Sequence, residues 1–78
     1  MPLNLYSDVY ASGVVPPGWV PTKSGTLKYP VRNPAVRQYL RQLLPGRWHK
    51  VIKQGNSGAV HYFEHISGQV AGVKYYPN

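Results

Sequence analysis

One stretch bounded on both sides by proline constrains the fold of this chain most. Asn33-Pro34 is a strong helix start, because the Asn side chain can cap a helix and Pro at the first helical position lacks the N–H that would be left unsatisfied. Leu44-Pro45-Gly46 marks the end. Between these signals Val36, Tyr39, Leu40, Leu43 and Leu44 fall at helical spacing, and Arg37, Gln38, Arg41 and Gln42 occupy the other side. The sequence therefore predicts one amphipathic helix of about three turns.

After the helix, the sequence changes to short β-type runs separated by glycine-containing turns. The runs cover residues 48–54, 59–65 and 69–76, and the turns cover residues 55–58 and 66–68. Turns this short join antiparallel neighbours, so these residues are predicted to form a meander. One face of the meander must pack on the helix, since a bare meander buries too little apolar area.

Residues 1–32 hold five of the eight prolines and indicate an extended arm. The arm is too apolar for a free tail, so we expect it to wrap the core, with a short strand near Gly13 to Val15. Its apolar residues are Tyr6, Val9, Tyr10, Val14, Val15, Trp19 and Val20. With 78 residues there is no room for a second core. We predict a single α+β domain, in which the proline-rich arm packs on residues 33–78, a helix and a three-stranded or four-stranded antiparallel sheet.

The pairing of the last two strands decides which side chains share a face. In the register that we favour, Glu64 lies opposite Gln69, and His61 and Lys74 lie on an open face with aromatic neighbours. That open face then holds His61, Phe63, Val70 and Lys74, and the other face holds Val60, Tyr62, Ala71, Val73 and Tyr75. In the alternative register, a one-residue bulge at Gly68 pairs Phe63 with Ala71 and Val73.

The charge balance indicates a nucleic-acid or acidic partner. Nine Lys and Arg face two acids, Asp8 and Glu64, which gives a formal charge of +7. Most of this charge lies after residue 31, among aromatic side chains that could stack bases while cations hold phosphates. Most of these rings must be core in so small a domain. The candidate RNA-binding residues are Arg37, Arg41, Arg47, Trp48, His49, Lys50, Tyr62 and Tyr76.

Several other chemistries lack their residues. The chain has no cysteine, which excludes disulfides, thiolate catalysis and a Cys-type zinc site. The HExxH motif is absent, HxxxH on a strand is too long for shared coordination, and no glycine-rich phosphate loop occurs. We therefore expect no metal and no small-molecule cofactor. The first 20 residues show no signal-peptide pattern, and no apolar run approaches membrane-spanning length, so we expect no membrane association.

The histidines His61 and His65 flank Glu64, the acid of the predicted sheet. Cleavage of RNA through its own 2′-hydroxyl needs a general base, a general acid and a cation, and needs no metal because the nucleophile belongs to the substrate. His61 and His65 would share a strand face about 13 Å apart, with Glu64 pointing away, so the three do not form one cluster. Glu64 serves either a structural ion pair or proton transfer. The candidate catalytic residues are His61, His65, Glu64, Lys53 and Lys74.

The segment from Val60 to Gly72 resembles the central hairpin of the ribosomal-RNA-cleaving nuclease colicins, and more loosely the toxin domains of contact-dependent inhibition and Rhs-type polymorphic toxins. Phe63, Glu64, Gly68, Val70 and Gly72 carry this resemblance, preceded by Arg47-Trp48. These toxins belong to the barnase, EndoU, colicin and RelE-like group. The resemblance implies that Glu64 is the catalytic acid. The family's catalytic His and second acid fall on Ser67 and Gln69, so His61 or His65 would have to replace the base.

A second resemblance covers residues 51–65, which look like the helix-then-hairpin of HicA-type messenger-RNA interferases. In that family a lone His on the second strand carries catalysis, which implies this role for His61. The two resemblances both imply a small basic RNA-cleaving toxin, and they assign the catalytic work to different residues.

The sequence thus predicts a bacterial toxin endoribonuclease that cuts transfer, ribosomal or messenger RNA through the 2′-hydroxyl. Its expected partners are RNA and an acidic immunity or antitoxin protein. Such a toxin would be secreted or delivered and would act on translation in the target-cell cytoplasm; otherwise the protein is expected to be cytoplasmic. The alternatives are a non-catalytic RNA-binding or ribosome-associated module, and a viral or structural assembly protein whose arm reaches a neighbouring subunit.

Overall fold

The computed structural model describes residues 13–78, and for residues 23–25 it describes the backbone only. Within this range the elements are β1 (Pro21–Pro30), α1 (Pro34–Leu43), β2 (Trp48–Gly55), β3 (Gly58–His65) and β4 (Val70–Pro77). The strands form one sheet in the order β1-β2-β3-β4, and each neighbouring pair is antiparallel. The described residues therefore form the predicted α+β fold. Their helix falls short of the length needed to cross a membrane.

The arm contributes a strand, but at a different place from the one predicted. Residues 13–15 form no strand, and β1 instead covers Pro21–Pro30. Its second half pairs continuously with β2, from Thr26 opposite Lys53 to Pro30 opposite His49. Prolines at both ends of β1 suit an edge strand, because a proline donates no hydrogen bond to the ladder. Within residues 13–78 the sheet therefore has four strands, against a prediction of three or four.

Helix α1 begins and ends where the sequence predicts. The Asn33 side-chain oxygen accepts hydrogen bonds from the backbone N–H groups of Ala35 and Val36, at 2.9 and 3.3 Å. The predicted apolar side of the helix is only partly covered, since Leu40 is buried whereas Tyr39 and Leu43 are 59% and 52% exposed. The cause is geometric: a ten-residue helix packs mainly on the beginning of β2 and covers only one end of the sheet.

The main core lies on the other side of the sheet, which we call the closed face. Val51, Val60 and Tyr62 are fully buried there under Val15 and Trp19 of the arm. The Trp19 indole N–H donates to the Gly58 carbonyl at 3.0 Å. A side chain at Gly55 would overlap the Trp19 ring, which explains a glycine at the end of β2. The arm residues Tyr6, Val9 and Tyr10, also predicted to wrap the core, lie outside the described residues.

The register between β3 and β4 differs from the favoured one and keeps one pair of the alternative, Phe63 opposite Ala71, whereas Val73 packs on the main core. Glu64 lies opposite Val70, His61 lies opposite Lys74, and the ladder shifts by one residue between these pairs. The irregularity falls near Gly72, which has a φ of +62°, rather than at Gly68. Val70 therefore joins Val60, Tyr62, Val73 and Tyr75 on the closed face, and Ala71 is opposite Phe63. The favoured register placed Ala71 on the closed face and Val70 on the open face. This assignment was wrong, because the bulge reverses the faces of the two residues.

Candidate nucleic-acid interface

The side of the sheet opposite the main core is the open face. Strand alternation and the observed register place on it the cross-strand rows Leu27-Ile52-His61-Lys74 and Tyr29-Lys50-Phe63-Ala71. None of these eight side chains is buried. Tyr76, 48% exposed, lies on the same face beyond Lys74. The face therefore combines lysines with exposed rings, as a surface for single-stranded nucleic acid requires.

His61 lies near the middle of the open face in a small cavity of about 80 Å³. The side chains that form the cavity include Lys50, Phe63, Lys74 and Tyr76. The centroids of the His61 and Tyr76 rings are 4.2 Å apart, with the ring planes tilted by 44°. The ring of His61 is thus held against an aromatic neighbour, with two lysines beside the same cavity.

The environment of His61 favours its neutral form. Burial of the ring, and secondarily the positive charge of Lys50, lowers the pKa of His61 from its ordinary value of 6.5. At neutral pH the imidazole is therefore uncharged and can accept a proton. This is the state that a general base needs.

Two other predicted catalytic residues lie away from His61, on the closed side of the sheet. Glu64 forms an ion pair with Lys28 across β2, with a distance of 3.2 Å between the Lys28 Nζ and Glu64 Oε1 atoms. The structural alternative for Glu64 is the one observed. Lys53 donates from Nζ to the Thr26 hydroxyl at 3.0 Å. Of the predicted catalytic residues, the structure brings together His61 and Lys74.

His65 holds the end of the helix against the β3–β4 turn. It is 7% exposed, and its Nε2 atom lies 2.8 Å from the Pro45 carbonyl oxygen. The Ser67 backbone N–H donates to its Nδ1 atom at 3.0 Å, so Nε2 carries the proton and donates to Pro45. Gly46 passes so close that a Cβ there would lie 2.6 Å from Nε2. Both ring nitrogens are thus occupied by structural hydrogen bonds.

Two rings predicted to stack bases are buried instead. Trp48 is 5% exposed, donates its indole N–H to the Leu44 carbonyl at 2.9 Å, and contacts the His65 ring edge to face at 5.1 Å. Tyr62 is 1% exposed within the main core. Neither ring offers a free face to a base, so we do not retain Trp48 and Tyr62 as stacking residues. Tyr76 remains available.

The predicted RNA-binding arginines meet at the other end of the molecule. Arg37 and Arg41, four residues apart on α1, line a cavity of about 230 Å³ together with Arg47 and His49. We call it the arginine cavity. The remaining lining residues are Pro30, Val31 and Trp48, so no carboxylate from the described part of the chain lines the cavity. Its charge and arginine geometry suit a phosphate group.

The sequence missed two residues of the open face, Leu27 and Tyr29, because β1 was not predicted there. The sequence feature that could have revealed them is the alternation from Thr26 to Pro30, which places Leu27 and Tyr29 on one face of a strand and Lys28 on the other. Phe63 was recognised as aromatic but was not included among the RNA-binding residues. Among the described residues, no group of three or more histidine or acidic side chains is placed to hold a metal ion.

Comparisons with known proteins do not assign the chain to a family. No family model matches it, and no curated protein or solved structure is significantly similar to it. The colicin-like and HicA-like resemblances therefore stay predictions. Within residues 13–78 the structure defines an α+β fold with a four-stranded antiparallel sheet, one face of which is packed and the other open.

Proposed function

We propose that this protein is an endoribonuclease that holds single-stranded RNA on the open face and cleaves it through the 2′-hydroxyl, with His61 as the general base. One observation carries the proposal: a histidine with a lowered pKa shares a cavity with two lysines and two exposed or half-buried rings. Proton acceptor, cations and stacking surface are the parts that this reaction uses.

In the proposed reaction, the neutral His61 ring takes the proton of the ribose 2′-hydroxyl. The 2′-oxygen attacks the adjacent phosphorus, and the bond from phosphorus to the 5′-oxygen breaks. Lys74 and Lys50 stabilise the negative charge that develops on the phosphoryl oxygens. The 5′-oxygen takes its proton from solvent at this open site. The products are a 2′,3′-cyclic phosphate end and a 5′-hydroxyl end.

The biological setting is part of the same proposal. The colicin-like and HicA-like hairpin resemblances support a bacterial toxin that acts on translation, delivered to the cytoplasm of a target cell. A toxin of this type needs a neutralising immunity or antitoxin protein. Against a formal charge of +7, we propose that this partner is acidic.

The direct test incubates the protein with total RNA and with ribosomes in EDTA, beside the His61→Ala and Lys74→Gln variants. We expect discrete fragments ending in a cyclic phosphate, no fragments with His61→Ala, and slower cleavage with Lys74→Gln. The matched control is Lys28→Gln, which removes one lysine from the closed side and should cleave normally. Undiminished cleavage by His61→Ala would rule out the proposed base.

A non-catalytic RNA-binding module is the second candidate, and a specific observation favours it. Among the residues that the structure describes, those around the His61 cavity include neither a carboxylate nor a second histidine, because Glu64 and His65 are engaged elsewhere. A pure binding module would retard RNA on a native gel without producing new ends. Its affinity would fall steeply with salt, according to the number of phosphates contacted.

A further inference from the structure

A third cavity lies between the His61 cavity and the arginine cavity. It has a volume of about 190 Å³ and lies where the open face meets the beginning of α1. It shares Lys50 and Phe63 with the His61 cavity, and Pro30 and Val31 with the arginine cavity. Because neighbouring cavities share lining residues, the three adjoin one another in a row, which we call the track.

Positive charge follows the track along its whole length. The His61 cavity contributes Lys74 and Lys50, the middle cavity adds Arg32, and the arginine cavity adds three guanidinium groups. Within residues 13–78, no carboxylate lines any of the three cavities. The acid nearest in register, Glu64, is on the closed side with Lys28. A chain of negative charges is the ligand that this distribution fits.

The chemistry of the side chains changes from one end of the track to the other. Rings are concentrated at the His61 end, where Phe63 and Tyr76 lie beside the histidine. The far end has arginines, whose planar guanidinium groups bind phosphate by paired hydrogen bonds, and its indole is buried. Bases can therefore stack at one end, whereas the other end suits backbone phosphates.

We infer that the substrate is a single RNA strand several nucleotides long, which runs along the track so that phosphates on one side of the scissile bond lie in the arginine cavity. This inference rests on the proposed function and specifies its substrate. Arg37, Arg41 and Arg47 are then positioning residues: they hold the strand and take no part in the proton transfer. Their loss weakens binding of longer strands and leaves the chemical step unchanged.

Binding is tested first, with fluorescent 2′-O-methyl oligonucleotides that cannot be cleaved. The wild-type protein should bind a heptanucleotide much more tightly than a dinucleotide. Arg37→Ala with Arg41→Ala should weaken heptanucleotide binding roughly ten-fold or more, the effect of losing a charge-assisted hydrogen bond, and should leave dinucleotide binding unchanged. Lys28→Gln with Thr22→Ala, both exposed away from the track, is the control pair. An equal loss of affinity for the heptanucleotide and the dinucleotide, or no loss for either, would contradict the track.

Cleavage then tests the one-sided geometry. The substrates are 2′-O-methyl strands with one ordinary ribonucleotide, lengthened either on its 5′ side or on its 3′ side. We expect kcat/KM to rise with length on one side only, and the double arginine variant to abolish that rise through KM, with kcat unchanged. Arg37→Lys with Arg41→Lys should restore part of the length effect. A rise on both sides, or one that survives both Ala substitutions, would overturn the inference.

The two proposals fail in different ways. If the wild-type protein shows length-dependent, arginine-dependent binding and cleaves none of the substrates, the track stands and the ribonuclease proposal falls. If His61→Ala abolishes cleavage and the arginine variants behave like the wild type at every length, the nuclease stands and the track falls. Binding without any dependence on length or on the arginines contradicts the track whatever the cleavage result.

Discussion

At the scale of single residues, the role of a side chain follows from the face on which its strand places it. His61, Glu64 and His65 lie within five positions of each other, yet they have three different surroundings: an open cavity, an ion pair and a buried turn. Alternation along β3 predicted that His61 and Glu64 point to opposite faces. The burial of His65 was not predictable, because it depends on Pro45 and Gly46, which are distant in sequence.

The pKa of His61 gives the first residue-scale prediction. An NMR titration of the free protein should show His61 titrating below 6.5, and Lys50→Gln should raise its pKa, because the substitution removes a nearby positive charge. Cleavage by the wild-type protein should increase as pH rises through this pKa, and the Lys50→Gln profile should shift to higher pH. An unshifted His61 pKa in Lys50→Gln would contradict the contribution assigned to Lys50 and leave burial as the cause.

The lowered pKa of His61 also makes the stability of the protein depend on pH. The folded protein binds a proton at His61 less readily than the unfolded chain does, so the unfolded state carries more protons between the lowered pKa and 6.5. The contribution of His61 to stability is therefore complete above 6.5, and it decreases as pH falls through that window. In His61→Gln, this part of the pH dependence of unfolding should disappear in denaturant titrations. Persistence of the full dependence would assign it to other groups.

Substitution of Glu64 distinguishes two hypotheses for this residue, catalytic acid and structural ion-pair partner. The colicin-like resemblance implies that Glu64→Gln abolishes cleavage, whereas the structure places Glu64 in an ion pair away from His61. We expect Glu64→Gln to retain cleavage and to lose about 0–1 kcal/mol of stability, since its partner Lys28 is largely exposed. Cleavage assays and denaturant unfolding on the same preparation measure both quantities. Loss of cleavage without unfolding would restore Glu64 as the catalytic acid.

At the scale of elements, locally encoded features were predictable and long-range ones were not. Helix α1 follows from caps and prolines within the segment itself, and the β2–β3 turn follows from its glycines. Strand β1 pairs with β2 across the whole helix, so the local alternation from Thr26 to Pro30 could not by itself show where the strand lies in the sheet. The bulge near Gly72 lies in the pairing of β4 with β3, and the exposure of Tyr39 depends on where the helix meets the sheet.

The contact between the end of α1 and the β3–β4 turn, made by His65 with Pro45 and Gly46, gives a prediction at the scale of elements. Gly46 and Gly68 both have positive φ values, +123° and +98°, so alanine strains the backbone at either position. At Gly46 the added methyl would also collide with His65, whereas at Gly68 nothing lies within 4 Å. We expect Gly68→Ala to cost about 1 kcal/mol and Gly46→Ala about 2–3 kcal/mol or more. Equal losses in denaturant unfolding would show that the His65 contact is unimportant.

At the scale of the whole molecule, the sheet divides the described residues into a packed side and a charged side. The arm covers the closed face with Trp19, and the track collects six of the lysines and arginines on the other side. Composition predicted a basic surface for a nucleic acid. The path of that surface became visible only with the fold, because its cations come from α1, from β2 and β4, and from the loops that hold Arg32 and Arg47.

The salt dependence of RNA affinity measures how many cations of the open side contact phosphates. RNA affinity should fall linearly with salt on logarithmic axes, and removing one phosphate-contacting cation should reduce the slope by about 1. We expect that reduction for Arg41→Ala and for Lys74→Gln, and no change for Lys28→Gln, although both lysine substitutions alter the net charge equally. Identical slopes for Lys74→Gln and Lys28→Gln would show that net charge, rather than the open face, controls binding.

The proposed RNA cleavage depends most on His61, and one gel tests the role of this residue. Total RNA is incubated in EDTA with the wild-type protein and with His61→Ala, after circular dichroism and RNA retardation have shown that the variant folds and still binds. The account predicts discrete fragments with cyclic phosphate ends for the wild type and intact RNA for the variant. Equal fragmentation by both proteins, or intact RNA with the wild type, would contradict it.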